Sequence, residues 1–366
     1  MNVLPRWVDI LLIPLTNLFL AFFVAGLVVA FIGEDPFLAM KFLLQGALGS
    51  GYGIGFTLYF ATSFMFTGLA VAIAFHAGLF NIGGEGQANF AGLGVAIVAL
   101  TMDWSNWMIV FPLTIIGAAL FGAAWAAIPA YLQARRGSHI VITTIMFNYI
   151  AYAVLGYLLI NVLKVEGSMA PESRRFAEGA HLPFVHDLLA MIGIKMTNTP
   201  MNISFFWALI CCWFVWFLIW RTKLGYEIRS YGHSEPAARY AGISPTKIIM
   251  VTMLISGALA GMMALNVVVG GYSQKLVNDP IQGAGFVGIA VALMGRSHPV
   301  GVILAAVLFG VLYQGGAELA FEMPSISRDM IVVIQALVIL FTGALENMVR
   351  MPIQAMFLRF RSGGGG

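Results

Sequence analysis

Charge is scarce in this chain, cysteine is nearly absent, and the compact motifs that grip phosphates or metals are missing. Only 10% of its 366 residues are Asp, Glu, Lys or Arg, whereas 60% are hydrophobic, and the mean hydropathy is +0.90. A soluble fold of this size needs far more polar surface, so the expected class is an all-α, polytopic helical membrane protein. The two cysteines, Cys211 and Cys212, are adjacent within an apolar run, which excludes a disulfide framework and a zinc site. No GxxxxGK[ST] occurs, so the chain does not cradle ATP by that route. No HExxH occurs either, and the six histidines share no ligand spacing. No catalytic residue, metal or cofactor is therefore expected. Basic residues are scattered between apolar runs and form no continuous patch, so nucleic acid is not a partner.

Long apolar runs are abundant. A helix needs about 20 apolar residues to cross the hydrocarbon core. Runs of that kind predict about ten segments, near 10–33, 56–77, 86–102, 108–132, 140–163, 203–220, 247–269, 283–295, 300–317 and 330–346. The eighth is too short to cross alone and rich in glycine, as expected of a half-helix or re-entrant segment buried in protein. The first run exceeds twenty residues and lacks a small-residue cleavage site, which favours a retained helix over a signal peptide.

Lysine and arginine set the orientation. With the N-terminus inside, the external segments hold Lys41, Lys164, Arg174, Arg175, Lys195, Lys275 and Arg328, and the other twelve of the nineteen basic residues lie inside. Both termini are then cytoplasmic, and Trp104 and Trp107 sit at the outer interface. Residues 1–350 form a single transmembrane domain, with 164–200 as an external loop in which Ala180 to Ile194 suits the membrane surface. The tail 351–366 is cytoplasmic, and its final glycines, Gly363 to Gly366, read as a linker without a role.

Two polar interruptions carry the functional expectation. The first is GLFNIGGEGQ, Gly78 to Gln87, followed by Ala88 and Asn89. Glycine frees the backbone from helical angles there, and the next helix starts near Glu85 with its N-terminal dipole exposed. Broken helices at membrane depth persist where they line a cavity. Asn81, Glu85, Gln87 and Asn89 are therefore candidates for the solute path. A plain inner turn, with Glu85 at the headgroups and stabilised by the dipole, is the other reading. Asn148 and Tyr149 lie mid-span, about one turn after Thr143 and Thr144, and either bond between helices or line the path. Amide and aromatic groups suit a planar, uncharged polar solute. Asn266 is a weaker candidate of the same kind. Gly257 and Gly261 are spaced for helix packing. Gly283 to Gly288 matches GxGxxG, yet no βαβ unit surrounds it, so close packing of the short eighth segment is the better account.

The second interruption is residues 224–246, a polar, basic stretch between apolar runs. Ser234-Glu235-Pro236 reads as a helix start, Ala237 to Ala241 favour helix, and Gly242 ends it. Ser244-Pro245 opens the next helix. An amphipathic connector bound to membrane lipid is one reading, with Arg229 and Arg239 on anionic headgroups. A short helix gripped by a partner protein is the other.

Here the chain resembles the permease subunits of bacterial ABC importers. Their cytoplasmic loop carries two alanines and a glycine four residues beyond the second, as do Ala237, Ala238 and Gly242. Pro236 interrupts the Glu-Ala-Ala order and the Leu-Pro ending is missing. Both departures resemble the branch that carries sugars, nucleosides or branched-chain amino acids, and the Gly78 to Gln87 stretch resembles its nucleoside and simple-sugar members. The resemblance runs from the first span to Arg350. It implies an inner-membrane permease that borrows its energy. The expected partners are an ABC ATPase, which alone uses ATP and Mg, a second related permease, and an external solute-binding lipoprotein. Glu235, Ala237, Ala238, Arg239 and Gly242 would couple to the ATPase. A nucleoside is the preferred solute and a monosaccharide the alternative. An ion-coupled secondary transporter, which should show a buried acidic or histidine relay, is the rival of another class.

Overall fold

The computed structural model describes residues 12–341 together with Pro5, Val8, Met351, Pro352, Gln354 and Ala355. Arg6, Arg350, Arg359, Arg361, the end of the last expected span and the glycine tail lie outside the described residues. Among those described no strand forms; only isolated bridges join Lys164 to Ser173, Glu172 to Val277 and Phe184 to Asn202.

The helices are α1 (Ile13–Ile32), α2 (Pro36–Leu48), α3 (Gly51–His76), α4 (Gly84–Leu100), α5 (Trp107–Arg136), α6 (Ile140–Leu158), α7 (Val185–Met191), α8 (Ser204–Arg221), α9 (Lys223–His233), α10 (Glu235–Tyr240), α11 (Pro245–Ala264), α12 (Ala284–Met294), α13 (Pro299–Glu322) and α14 (Arg328–Ile339). Single π-helical turns extend α6 over Leu159–Leu163 and α11 over Leu265–Val269. With those turns, seven of the described helices are long and apolar enough to cross a membrane: α1, α3, α5, α6, α8, α11 and α13. The chain is a multi-pass helical membrane protein.

The expected organisation differs from the observed helices at two places. No helix was expected between 33 and 56, yet α2 occupies Pro36–Leu48 and α3 begins at Gly51. Asp35 starts α2 by accepting from the amide of Phe37 at 2.8 Å, with Pro36 in the first turn. At 13 residues α2 is too short for a span-length search to register. Lys41, placed in an external segment from the sequence, lies within it. In the 164–200 loop, where no helix was expected, helix forms over Val185–Met191 and one 3₁₀ turn over Glu178–Ala180. The eighth segment is short, as expected: α12 has 11 residues, about 16 Å against a hydrocarbon core of about 30 Å.

Two compact units make up the chain, Ile54–Gly310 on one hand, and Met1–Gly53 with Val311–Gly366 on the other. In the smaller unit, Ala25, Val29 and Ala39 share one buried cluster with Leu319, Met323, Ile331 and Ile334. In the larger unit, α11 packs on α5, and α4 on both, through small residues. A Cβ built on Gly122 would stand 2.3 Å from the carbonyl oxygen of Gly257, so the two backbones touch. Gly261 sits equally close to the carbonyl of Ala118. This is the packing role expected for Gly257 and Gly261, since lipid provides no hydrophobic drive and close backbone approach supplies dispersion instead.

Candidate functional site

The chain leaves α3 at His76, turns at Gly78 with φ +68°, and runs without helix to Gly84. Four polar side chains close this break, all within the larger unit. Asn81 is fully buried. Its Nδ2 donates to Gln87 Oε1 at 3.0 Å and to Ser256 Oγ at 2.8 Å, while its Oδ1 accepts from Gln87 Nε2 at 3.2 Å and from the Gly83 amide at 2.9 Å. Ser256 Oγ in turn donates to the carbonyl of Ala70 at 2.6 Å, tying α11 to α3. Asn148 reaches in from α6. Its Oδ1 accepts from the Gly86 amide at 2.8 Å and its Nδ2 donates to the carbonyl of Ile82 at 3.0 Å. One side-chain amide thus satisfies a carbonyl within the break and an amide in the first turn of α4.

Glu85 is also fully buried, which removes the reading that placed it at the headgroups. Its Oε1 accepts from Tyr152 Oη and from the Gly283 amide, and its Oε2 accepts from the Gly285 amide, all at 2.7 Å. The carboxylate therefore caps the N-terminus of α12, whose first amides have no partner within that helix. Gly283 holds φ +83° to present its amide, and a Cβ on Gly285 would stand 2.4 Å from the amide nitrogen of Glu85. Only glycine permits that approach. Close packing is also what Gly288 provides, against Thr67 of α3.

Five of the six path candidates thus come together: Asn81, Glu85, Gln87, Asn89 and Asn148. Asn89 Nδ2 donates back to the carbonyl of Glu85 at 3.2 Å, and its buried Oδ1 has no partner. Tyr149 is not brought to them. It is 73% exposed, because one residue along α6 turns the side chain about 100° from Asn148. Tyr152, four residues after Asn148 and on the same face, takes the place that the sequence did not reveal. Asn266 belongs to a separate buried node, bonded by Asn202, Ser204, Ser63 and the carbonyl of Tyr59.

The coupling candidates lie on α10 and its flanks. Ser234 Oγ accepts from the Ala237 amide at 3.4 Å, and Pro236 occupies the first turn. Gly242 stops the helix with φ +80°. Ala238 is buried, while Glu235, Ala237, Arg239 and Gly242 are exposed. Arg239 and Glu235 pair at 2.6 Å one turn apart, and Lys247 reaches Glu227 of α9 at 3.3 Å. Burial pushes the Tyr231 phenol above its ordinary pKa, and the Glu235 carboxylate adds to the shift. Tyr240, at 97% exposure, projects freely from α10. The two regions meet directly. Gly232 of α9 lies against the carbonyl of His76, and Gly78 stands beside Gly232 in turn. His76 Nε2 bonds the carbonyl oxygen of Ser297 at 3.0 Å, just ahead of α13.

Comparison with known proteins follows the same lines. The guanosine ABC transporter permease protein NupP of Bacillus subtilis is 34% identical, over 91% of this chain and 93% of that one. The nucleoside ABC transporter permease protein NupB of Lactococcus lactis subsp. cremoris is 31% identical over 90% of each. The glucose ABC transporter permease protein TsgB13 of Haloferax volcanii is 30% identical, over 94% of this chain and 90% of that one. No solved structure matches the chain. The family described as branched-chain amino acid transport system / permease component matches residues 53–343, and this chain belongs to it.

Proposed function

We propose that the protein is the membrane subunit of an ATP-driven importer that carries a nucleoside across the bacterial inner membrane. On this reading it works beside a second, related permease, an ABC ATPase that alone binds ATP and Mg, and an external solute-binding lipoprotein. Both termini and α10 face the cytoplasm. One observation carries the mechanical part: α9 is in backbone contact with the end of α3, two residues before the helix break. Force applied to α10 passes through its cap at Ser234 into α9, and from Gly232 to His76 and the break that Asn81, Gln87 and Asn148 close. Glu85 holds α4 to α12, so both helices respond together. Residues 81–89 and 148 then shape the path as positioning residues, since their polar groups are bonded to one another. The exposed Glu235, Ala237, Arg239 and Gly242 form the grip for the ATPase.

The choice of solute is supported by the names of the relatives, which give guanosine, nucleosides and glucose. The deciding experiment is reconstitution in liposomes with the companion chains. ATP-dependent accumulation of guanosine, with none for the permease alone, is the expected result. Accumulation by the lone chain under a cation gradient would overturn the proposal, and ATP-dependent uptake of glucose but not guanosine would select the monosaccharide alternative.

A further inference from the structure

Glu318 and Glu322, one turn apart on α13, line a cleft of about 380 Å³ with Phe42, Gln45, Ser50 and Tyr52, all in the smaller unit. Gly46 forms part of the wall. A Cβ there would come within 2.4 Å of the Glu318 Cβ, so α2 approaches α13 along its bare backbone. Gln314 donates to Glu318 Oε1 at 3.2 Å from within the same helix. Two other hollows of this unit are lined by apolar side chains alone, and they offer nothing that distinguishes a solute from a lipid chain.

The polar cleft is built differently. Its volume falls within the range of small-molecule sites. Two carboxylates, an amide, two hydroxyls and two aromatic rings converge on it, and no lining residue is basic. Ionised carboxylates only accept hydrogen bonds, so they repel anions and favour donors. A neutral molecule with adjacent hydroxyl groups meets that demand, one hydroxyl to each carboxylate, while the rings of Phe42 and Tyr52 offer flat apolar faces.

We infer that this cleft is a reception site for the vicinal hydroxyls of the delivered solute, the ribose of a nucleoside or a free monosaccharide. The inference rests on the import function proposed above and names what the permease itself recognises. The test uses the complete transporter in liposomes with its binding protein. Uptake of guanosine, 2′,3′-dideoxyguanosine and glucose is measured for the wild type and for Glu322→Ala, Glu322→Gln and Glu318→Ala. Loss of one charge-assisted bond should raise KM for guanosine about tenfold. The preference for guanosine over the dideoxy analogue should shrink toward unity, with the melting temperature unchanged. Glu322→Gln, which keeps one acceptor, should fall between. A KM effect confined to glucose assigns the site to the free sugar. An equal loss for all three solutes, or an unchanged guanosine preference, overturns the inference while leaving the import function intact. Failure of the wild type to accumulate any of them under ATP removes the function itself.

Discussion

Gly232 stands so close beneath the carbonyl of His76 that one added carbon would lie 2.2 Å from its oxygen. Gly232 belongs to the proposed coupling segment, and His76 ends the helix that leads into the break. Overpacking at such a contact costs about 1–3 kcal/mol, enough to separate the two backbones. Gly232→Val should therefore lower the solute imported per ATP hydrolysed by roughly tenfold, while the ATPase still binds and turns over; about 1.4 kcal/mol corresponds to a factor of ten. Simultaneous measurement of uptake and phosphate release checks this. An unchanged ratio would mean that motion does not pass through this contact.

The capping of α12 by Glu85 sets a graded series. Tyr152→Phe removes one bond to the carboxylate and should cost about 1.5–3 kcal/mol, the range for a charged partner. Glu85→Gln replaces an acceptor with an NH₂ group, so the Gly283 or Gly285 amide then meets a donor, and it should destabilise more than Tyr152→Phe. Thermal unfolding of the detergent-solubilised chain gives the order. Equal melting temperatures for all three proteins would remove Glu85 as the cap.

Two neighbours on α6 should behave in opposite ways. Asn148→Ala leaves the Gly86 amide and the Ile82 carbonyl without partners, at about 1–3 kcal/mol for each buried group, and should depress both stability and uptake. Tyr149→Ala removes an exposed ring and should leave the stability within about 0.5 kcal/mol of wild type. A fall in stability for Tyr149→Ala matching that of Asn148→Ala would contradict the burial pattern.

At the grip, Gly242→Val places a β-branched residue at φ +80°, at a cost of about 1–2 kcal/mol for that region. Ala238→Leu inserts bulk where the wild-type methyl is buried. Both should insert and fold, yet recover far less ATPase when the tagged permease is purified from membranes. Full recovery with wild-type uptake would release α10 from the coupling role.

Much of this arrangement was visible in the residues. Asn81, Gln87, Asn89 and Asn148 stood out because amides in apolar runs must find partners. The start of α10 was legible because its signals are local: a serine cap, a proline in the first turn, and a glycine at the end. Tyr152 was hidden, since a tyrosine in a helix bundle is ordinary, and only its spacing of four from Asn148 pointed to the same face. The backbone partners of Glu85 left no trace in residue type, because an amide donates whatever side chain its residue carries. α2 escaped for a different reason. Lys41 and Gln45 interrupt its apolar run, and a thirteen-residue helix falls below the length that bilayer thickness singles out.

No helix can satisfy the amides of its own first turn, and α12 takes two of the bonds it needs from the Glu85 carboxylate. Breaking that contact would leave a buried carboxylate and two amides without partners together, which is costly for each. α4 and α12 are thus bound to travel as one rigid piece. Any bending during the work cycle falls to the glycine-bearing link between His76 and Gly84, whose carbonyls and amides can be exchanged singly between neighbours.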